Sequence, residues 1–302
     1  MQSFTRRDFL QISYKLAFLM GLGSNAIVKI SEAIADIAAN KAPVLWLQAQ
    51  SCSGCSVSLL NAEHPDPFDI ITDYISLLFH STLSNATGHV CIDIINKTIE
   101  KGDYILAVEG SIPYDMPEAC VVGHETITSQ IKRAAQKAKA ILAIGTCASY
   151  GGIPAAEDNP TGAISLSEYL EKINISKPTI LIPGCPSHPE WVFGTIVHTL
   201  KFGIPELDDD GRPVMFFKKL IHDHCPRFAD YEREKFAKKF GDDGCLFKLG
   251  CFGPNTHADC TTRYWNMHVN NCIAAGAPCI GCTSKEFAKK KSFPFYRKNE
   301  KN

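Results

Sequence analysis

Three of the four short apolar runs in the first two-thirds of the chain lead directly into cysteine. Residues 44–48 (VLWLQ) precede Cys52-Ser-Gly-Cys55, residues 140–144 (AILAI) precede Cys147, and residues 179–182 (TILI) precede Cys185; residues 104–108 (YILAV) form the fourth run. Short, continuous apolar runs suit strands buried on both faces. The stretch 126–139 between two of them places Ile127, Ile131, Ala134, Ala135 and Ala138 at helical spacing. Strands alternating with helices predict βαβ units and a parallel sheet, hence an α/β fold. In such a sheet the carboxyl ends of the strands share one edge, and ligands bind in the crevice there. Cys52, Cys55, Cys147 and Cys185 are therefore expected to converge although the chain separates them widely.

Four thiolates at one point suit a [4Fe-4S] cluster. The neighbouring Gly54, Gly145, Gly151, Gly152 and Gly184 let backbone approach closely and turn N–H groups toward sulfur. A C-x-x-C pair alone serves zinc or a redox dithiol equally well. The common edge is the more specific signal.

Of thirteen cysteines in 302 residues, seven lie between Cys225 and Cys282. The stretch 203–213, "GIPELDDDGRP", combines turn residues with an acidic cluster and marks a boundary. Residues 41–205 are assigned to a first domain and 206–302 to a second, in which regular periodicity weakens. There, His222-Asp-His224-Cys225 is followed by Cys245 and Cys251. One imidazole and three thiolates make a four-ligand set, for which His222 and His224 compete. Cys260, Cys279 and Cys282 remain. That set has three members without Cys272 and four with it; the alternative for Cys272 is a small apolar filler. Lys plus Arg is 31 and Asp plus Glu 32, a balance that opposes a nucleic-acid partner.

Residues 1–40 carry Arg6-Arg7, a moderately apolar run over 16–28, and Ala33-Ile-Ala35 as a cleavage point. They read as a twin-arginine export signal, which places the mature chain in the periplasm. Gly21, Gly23 and Ala26 mimic a dinucleotide fingerprint, but no strand precedes them. An odd cysteine count, recurrent C-x-x-C spacing and a long chain favour metal sites over disulfide staples.

The motifs "CSGCSVSLLNAEHP", "VEGSIP", "IGTCASYGGIPAA", "IPGCPSHPEW", "PELDDDGRP", "IHDHC", "KLGCFGP" and "PCIGC", in this order, resemble the small, iron–sulfur subunit of the periplasmic [NiFe] uptake hydrogenases. The resemblance runs from the signal to the last cysteine pair. It implies a flavodoxin-like parallel-sheet domain followed by a smaller, irregular cluster-binding domain. It implies that Cys52, Cys55, Cys147 and Cys185 hold a proximal [4Fe-4S] cluster. His222, Cys225, Cys245 and Cys251 match the distal [4Fe-4S] ligands, which selects His222. Cys260, Cys279 and Cys282 match the medial cluster. The nickel–iron centre would belong to a large-subunit partner, and this chain would conduct electrons to a c-type cytochrome or a membrane acceptor. A long first helix and the "SVSLLN" segment would face that partner. A standalone multi-cluster carrier and a hydrogen-sensing relative are the alternatives.

The chain also departs from relatives. Oxygen-tolerant members carry extra cysteines where Gly54 and Gly152 stand here, so an ordinary cubane and oxygen sensitivity are expected. Many members have proline at position 272 and a medial [3Fe-4S] cluster; Cys272 would complete a [4Fe-4S] cluster instead. The C-terminal hydrophobic helix of membrane-bound members is not found, so membrane association is expected only through a partner. Cys91 and Cys120 match no ligand position and read as core residues. The runs 238–239 and 289–291 read as solvated faces.

Overall fold

The structure is a computed structural model that describes residues 42–63 and 65–288. The signal-like segment 1–40 and the lysine run 289–291 lie outside them. The first half is one five-stranded parallel sheet made of β1 (Ala42–Gln48), β2 (Ile75–His80), β3 (Ile105–Glu109), β4 (Ala140–Ile144) and β5 (Thr179–Ile182), in the order β2-β1-β3-β4-β5. This is the flavodoxin-like order. The sequence runs at 44–48, 104–108, 140–144 and 179–182 all become strands, within a residue or two. The edge strand β2 is the one not foreseen: "ISLLFH" follows a π-turn at Ile70–Tyr74, and its side chains do not alternate between buried and exposed.

Period-two alternation along the strands makes two cores. Val44, Trp46, Ile105, Ala107, Leu142 and Ile144 face one way. Leu45, Leu47, Leu106, Val108, Ile141 and Ala143 face the other. The second set is covered by Ile95 and Ile99 of helix α1 (His89–Lys101) and by Ile127, Ile131, Ala134 and Ala135 of helix α2 (Ile127–Lys137). Thr126 starts α2 by accepting from the Ser129 N–H. The first set is covered by helix α3 (Pro189–Phe202), through Trp191, Val192, Phe193, Ile196 and Val197.

That same core continues into the second half through Phe216, Phe217, Ile221, Ala237, Leu246, Ala258, Ile273 and Cys279. Packing is thus continuous across position 205. Beyond α3 the helices are short, at Val214–Phe217, Phe228–Glu232 and Cys260–Arg263, and the β contacts are isolated bridges such as Leu220 with His257 and Trp265 with Asn270. The SVSLLN segment beside Cys52 falls largely in a six-residue helix, Gly54–Leu59. No helix among the described residues is long and apolar enough to cross a membrane.

Candidate metal centres

None of the thirteen cysteines forms a disulfide. Cys52 lies in the turn after β1, and Cys55 is on the Gly54–Leu59 helix. Cys147 is on the turn of helix Gly145–Tyr150 that continues β4, and Cys185 follows β5 ahead of a cis peptide to Pro186. Their thiols act on one another: Cys55 feels Cys147 and Cys185, Cys147 feels Cys185 and Cys52, and Cys185 feels Cys52. Burial first, and then Cys185, pushes the Cys147 thiol up to about 12. The Ser187 N–H lies 3.5 Å from Cys55 Sγ. Glycine is required where backbone crowds these sulfurs: at Gly145, with φ +81°, an added Cβ would sit 2.5 Å from Cys55 Sγ. The edge predicted from the strand ends is formed.

His222, Cys225, Cys245 and Cys251 line one small cavity in the second half. Cys225 feels both Cys251 and Cys245, after burial and an N–H from Arg227 that lies 3.4 Å from its sulfur. The His222 ring is held edge-on by Tyr231, centroids 4.6 Å apart, and by Phe228 at 5.0 Å. His224 is exposed and absent from the cavity wall.

Cys260, Cys272, Cys279 and Cys282 all line a larger cavity of about 660 Å³, which Cys185 also reaches. Cys260 is pushed well up by burial and by Cys282, against a hydrogen bond from the Trp265 side chain. Cys282 is pushed up to about 12 by burial, against the opposing pull of the Cys185 backbone N–H; Cys272 also acts on it. The Cys279 N–H lies 3.4 Å from Cys251 Sγ. The Cys260 group is therefore joined to the first group at the shared cavity wall of Cys185 and Cys282, where the Thr146 hydroxyl donates to the Cys282 carbonyl, and to the second through Cys251–Cys279.

Residues 52–199 match the family described as NADH ubiquinone oxidoreductase, 20 Kd subunit, and residues 217–296 match the family described as the C-terminal part of the NiFe/NiFeSe hydrogenase small subunit. The periplasmic [NiFeSe] hydrogenase small subunit of Desulfomicrobium baculatum is 43% identical over 97% of this chain and 99% of its own length. The chain belongs to the [NiFe]/[NiFeSe] hydrogenase small-subunit family. The Hydrogenase-2 small chain of Escherichia coli strain K12 is 41% identical over 93% of this chain and 76% of its own. The reduced Ni-Fe-Se hydrogenase structure from Desulfomicrobium baculatum matches with TM-score 0.81 and 44% identity, over 85% of this chain and 99% of that one.

Small subunits of this family carry iron–sulfur clusters and pair with a large subunit. The donor chemistry of this small subunit fits such clusters. Among the described residues no three His, Cys, Asp or Glu side chains gather tightly enough for a single metal ion. The thiols of the second and third groups instead line cavities, and four thiolate or imidazole donors at one point suit a multi-iron cluster. Two buried hydroxyls beside the cysteines have no protein partner: Ser187 Oγ, two residues after Cys185, and Thr261 Oγ1, on the wall of the large cavity. Each is a donor free to reach a cluster sulfur.

The sequence reading missed Glu109, at the end of β3. Its buried carboxylate accepts from six donors: Trp46 Nε1 at 3.1 Å, Gln48 Nε2 at 3.2 Å, Ser51 Oγ at 2.9 Å, the Cys55 N–H at 3.2 Å, the Ser56 N–H at 3.4 Å, and Ser56 Oγ. It clamps the Cys52–Cys55 turn to the sheet and sets a negative charge against Cys55. A charge ending an apolar strand ("YILAVEG") was the available signal. Cys91 and Cys120 pack against the core on the opposite sheet face and join no group, as expected.

Proposed function

We propose that this hydrogenase small subunit holds three iron–sulfur clusters in a line and conducts electrons from hydrogen oxidation on its large subunit to a c-type cytochrome. Cys52, Cys55, Cys147 and Cys185 hold a proximal [4Fe-4S] cluster. Cys260, Cys272, Cys279 and Cys282 hold a medial [4Fe-4S] cluster; [3Fe-4S] is the alternative if Cys272 is not a ligand. His222, Cys225, Cys245 and Cys251 hold a distal [4Fe-4S] cluster. Residues 41–205 supply the first site and 206–302 the other two. Export of the folded chain by the twin-arginine route and membrane association through a partner complete the reading, in keeping with relatives named periplasmic.

The observation that carries the reading is the sequential linkage of the three groups, the Cys147 turn to Cys282 through the Thr146 hydroxyl and Cys279 to Cys251 through an N–H on sulfur. Bound clusters supply reversible one-electron storage. The chain's own residues do the rest. The cysteines fix position, Glu109 biases the first site electrostatically, and Phe228 and Tyr231 orient His222. The mouth of the large cavity, whose rim presents Val57 and Met267, 53% and 65% exposed, is covered by the large subunit.

Co-purification with the large subunit, metal analysis and EPR under hydrogen test this. Nickel in the complex and signals from three clusters on this chain are expected. A stable, active monomer would favour a standalone carrier.

A further inference from the structure

Thr146 is a buried residue beside Cys147 that touches all three ligand-bearing segments around the first junction. Its hydroxyl donates to the carbonyl of Cys282 and accepts from the Gly184 N–H at 2.8 Å, while its own N–H donates to the Gly184 carbonyl at 2.9 Å. Gly184 immediately precedes Cys185, which lines the same cavity as Cys282. The turn carrying Cys147, the turn carrying Cys185 and the backbone of Cys282 are thus joined at one side chain.

We propose that Thr146 is a positioning residue for electron transfer between the first and the third cysteine groups, its hydroxyl forming the bonded link from the Gly184 N–H, one residue ahead of Cys185, to the Cys282 carbonyl. The proposal rests on the cluster assignment given above. Each transfer across the link moves one electron, oxidising the site held by Cys147 and Cys185 and reducing the site held by Cys282. No proton crosses, and hydrogen oxidation supplies the electron. A gap bridged by covalent and hydrogen bonds couples donor to acceptor better than the same gap through space, so loss of the pin slows transfer without removing a ligand. The next junction needs no side chain beyond the cysteine ligands themselves: the Cys279 N–H lies 3.4 Å from Cys251 Sγ, and the Phe252 N–H lies 2.7 Å from the Cys279 carbonyl. Thr146 is therefore the side chain through which the relay geometry can be tested.

The test compares Thr146→Val, Thr146→Ala and Thr146→Ser in the purified heterodimer. Iron content and cluster EPR come first. A wild-type complex lacking a proximal or medial cluster would sink the cluster assignment itself. With clusters present, Thr146→Val is expected to weaken the magnetic interaction between the reduced proximal and medial clusters and to slow hydrogen-driven dye reduction several-fold. Thr146→Ser, which keeps the hydroxyl, is expected to restore both. If Thr146→Val fails to assemble, Thr146→Ala carries the same comparison. Unchanged coupling and rate in a fully loaded Val or Ala variant would overturn the inference. So would failure of Ser to rescue, or loss of the medial cluster from both Val and Ala, since the hydroxyl would then serve assembly.

Discussion

Trp191 Nε1 donates to Asp259 Oδ1 at 2.8 Å, a fully buried bond between helix α3 and the turn that presents Cys260. Asp259 also takes Arg263 Nε at 2.9 Å and Nη2 at 2.6 Å, and Arg263 reaches on to Glu190. The bond thus ties the sheet half of the molecule to the turn of the large cavity.

Arg263→Ala leaves Asp259 and Glu190 facing each other without their shared cation. Removing one partner from a buried ion pair costs about 3–5 kcal/mol. The expected result is a large drop in thermal stability with early loss of the Cys260-group cluster. Trp191→Phe keeps the ring and removes only the donor, and is expected to cost about 1–3 kcal/mol. Thermal unfolding followed alongside iron release checks the order.

Glu109→Gln exchanges an acceptor-only oxygen for an NH₂ group among six donors. A donor facing donors costs about 1–3 kcal/mol. Removing the negative charge beside Cys55 also favours the reduced cluster, so the proximal midpoint potential is expected to rise. Redox titration by EPR reads the shift; an unchanged potential would contradict the electrostatic role.

His80 supplies a pH dependence. Thr82 N–H donates to its Nδ1 at 3.1 Å, so Nε2 carries the hydrogen and donates to Ser56 Oγ at 3.0 Å, while Ser56 donates to Glu109. Burial lowers the His80 pKa, against the opposing pull of Glu109. Below the ordinary histidine value of about 6.5 the unfolded chain takes up a proton that folded His80 resists. Stability is then lost as pH falls through that region, by at most about 1.4 kcal/mol per pH unit from this group. Denaturant unfolding at pH 7 and pH 5.5 is expected to show a shallower pH dependence in His80→Gln.

Cys272→Pro is expected to convert the medial site to three irons. The oxidised complex would gain a [3Fe-4S] EPR signal and lose one iron. A strong signal of that type in the wild-type complex would rule out Cys272 as the fourth ligand.

Gly152 has φ +55°, and a Cβ there would lie 2.9 Å from Cys147 N, Cα and Sγ. A cysteine at this position therefore needs the backbone to move. Gly152→Cys alone is expected to lower proximal iron occupancy rather than confer tolerance to oxygen. The wild-type complex is expected to lose hydrogen oxidation in air, measured amperometrically; sustained activity would contradict this.

The apolar runs alone were enough to read the parallel sheet and the convergence of Cys52, Cys55, Cys147 and Cys185. Buried parallel strands are written as continuous apolar runs, and their carboxyl ends must share an edge. Residue order also pointed to the cysteines of the second half, but left His222 against His224 and the place of Cys272 open, because irregular turns carry no period to read. In the folded chain His222 lies on a cavity wall with Cys225, Cys245 and Cys251, while His224 is exposed, and Cys272 lines the cavity of Cys260, Cys279 and Cys282. Tertiary structure decided what no local pattern encodes, the strand β2, the six donors on Glu109 and the Thr146 hydroxyl on the Cys282 carbonyl. These depend on groups far apart in sequence meeting in space, and only the packed chain brings them together.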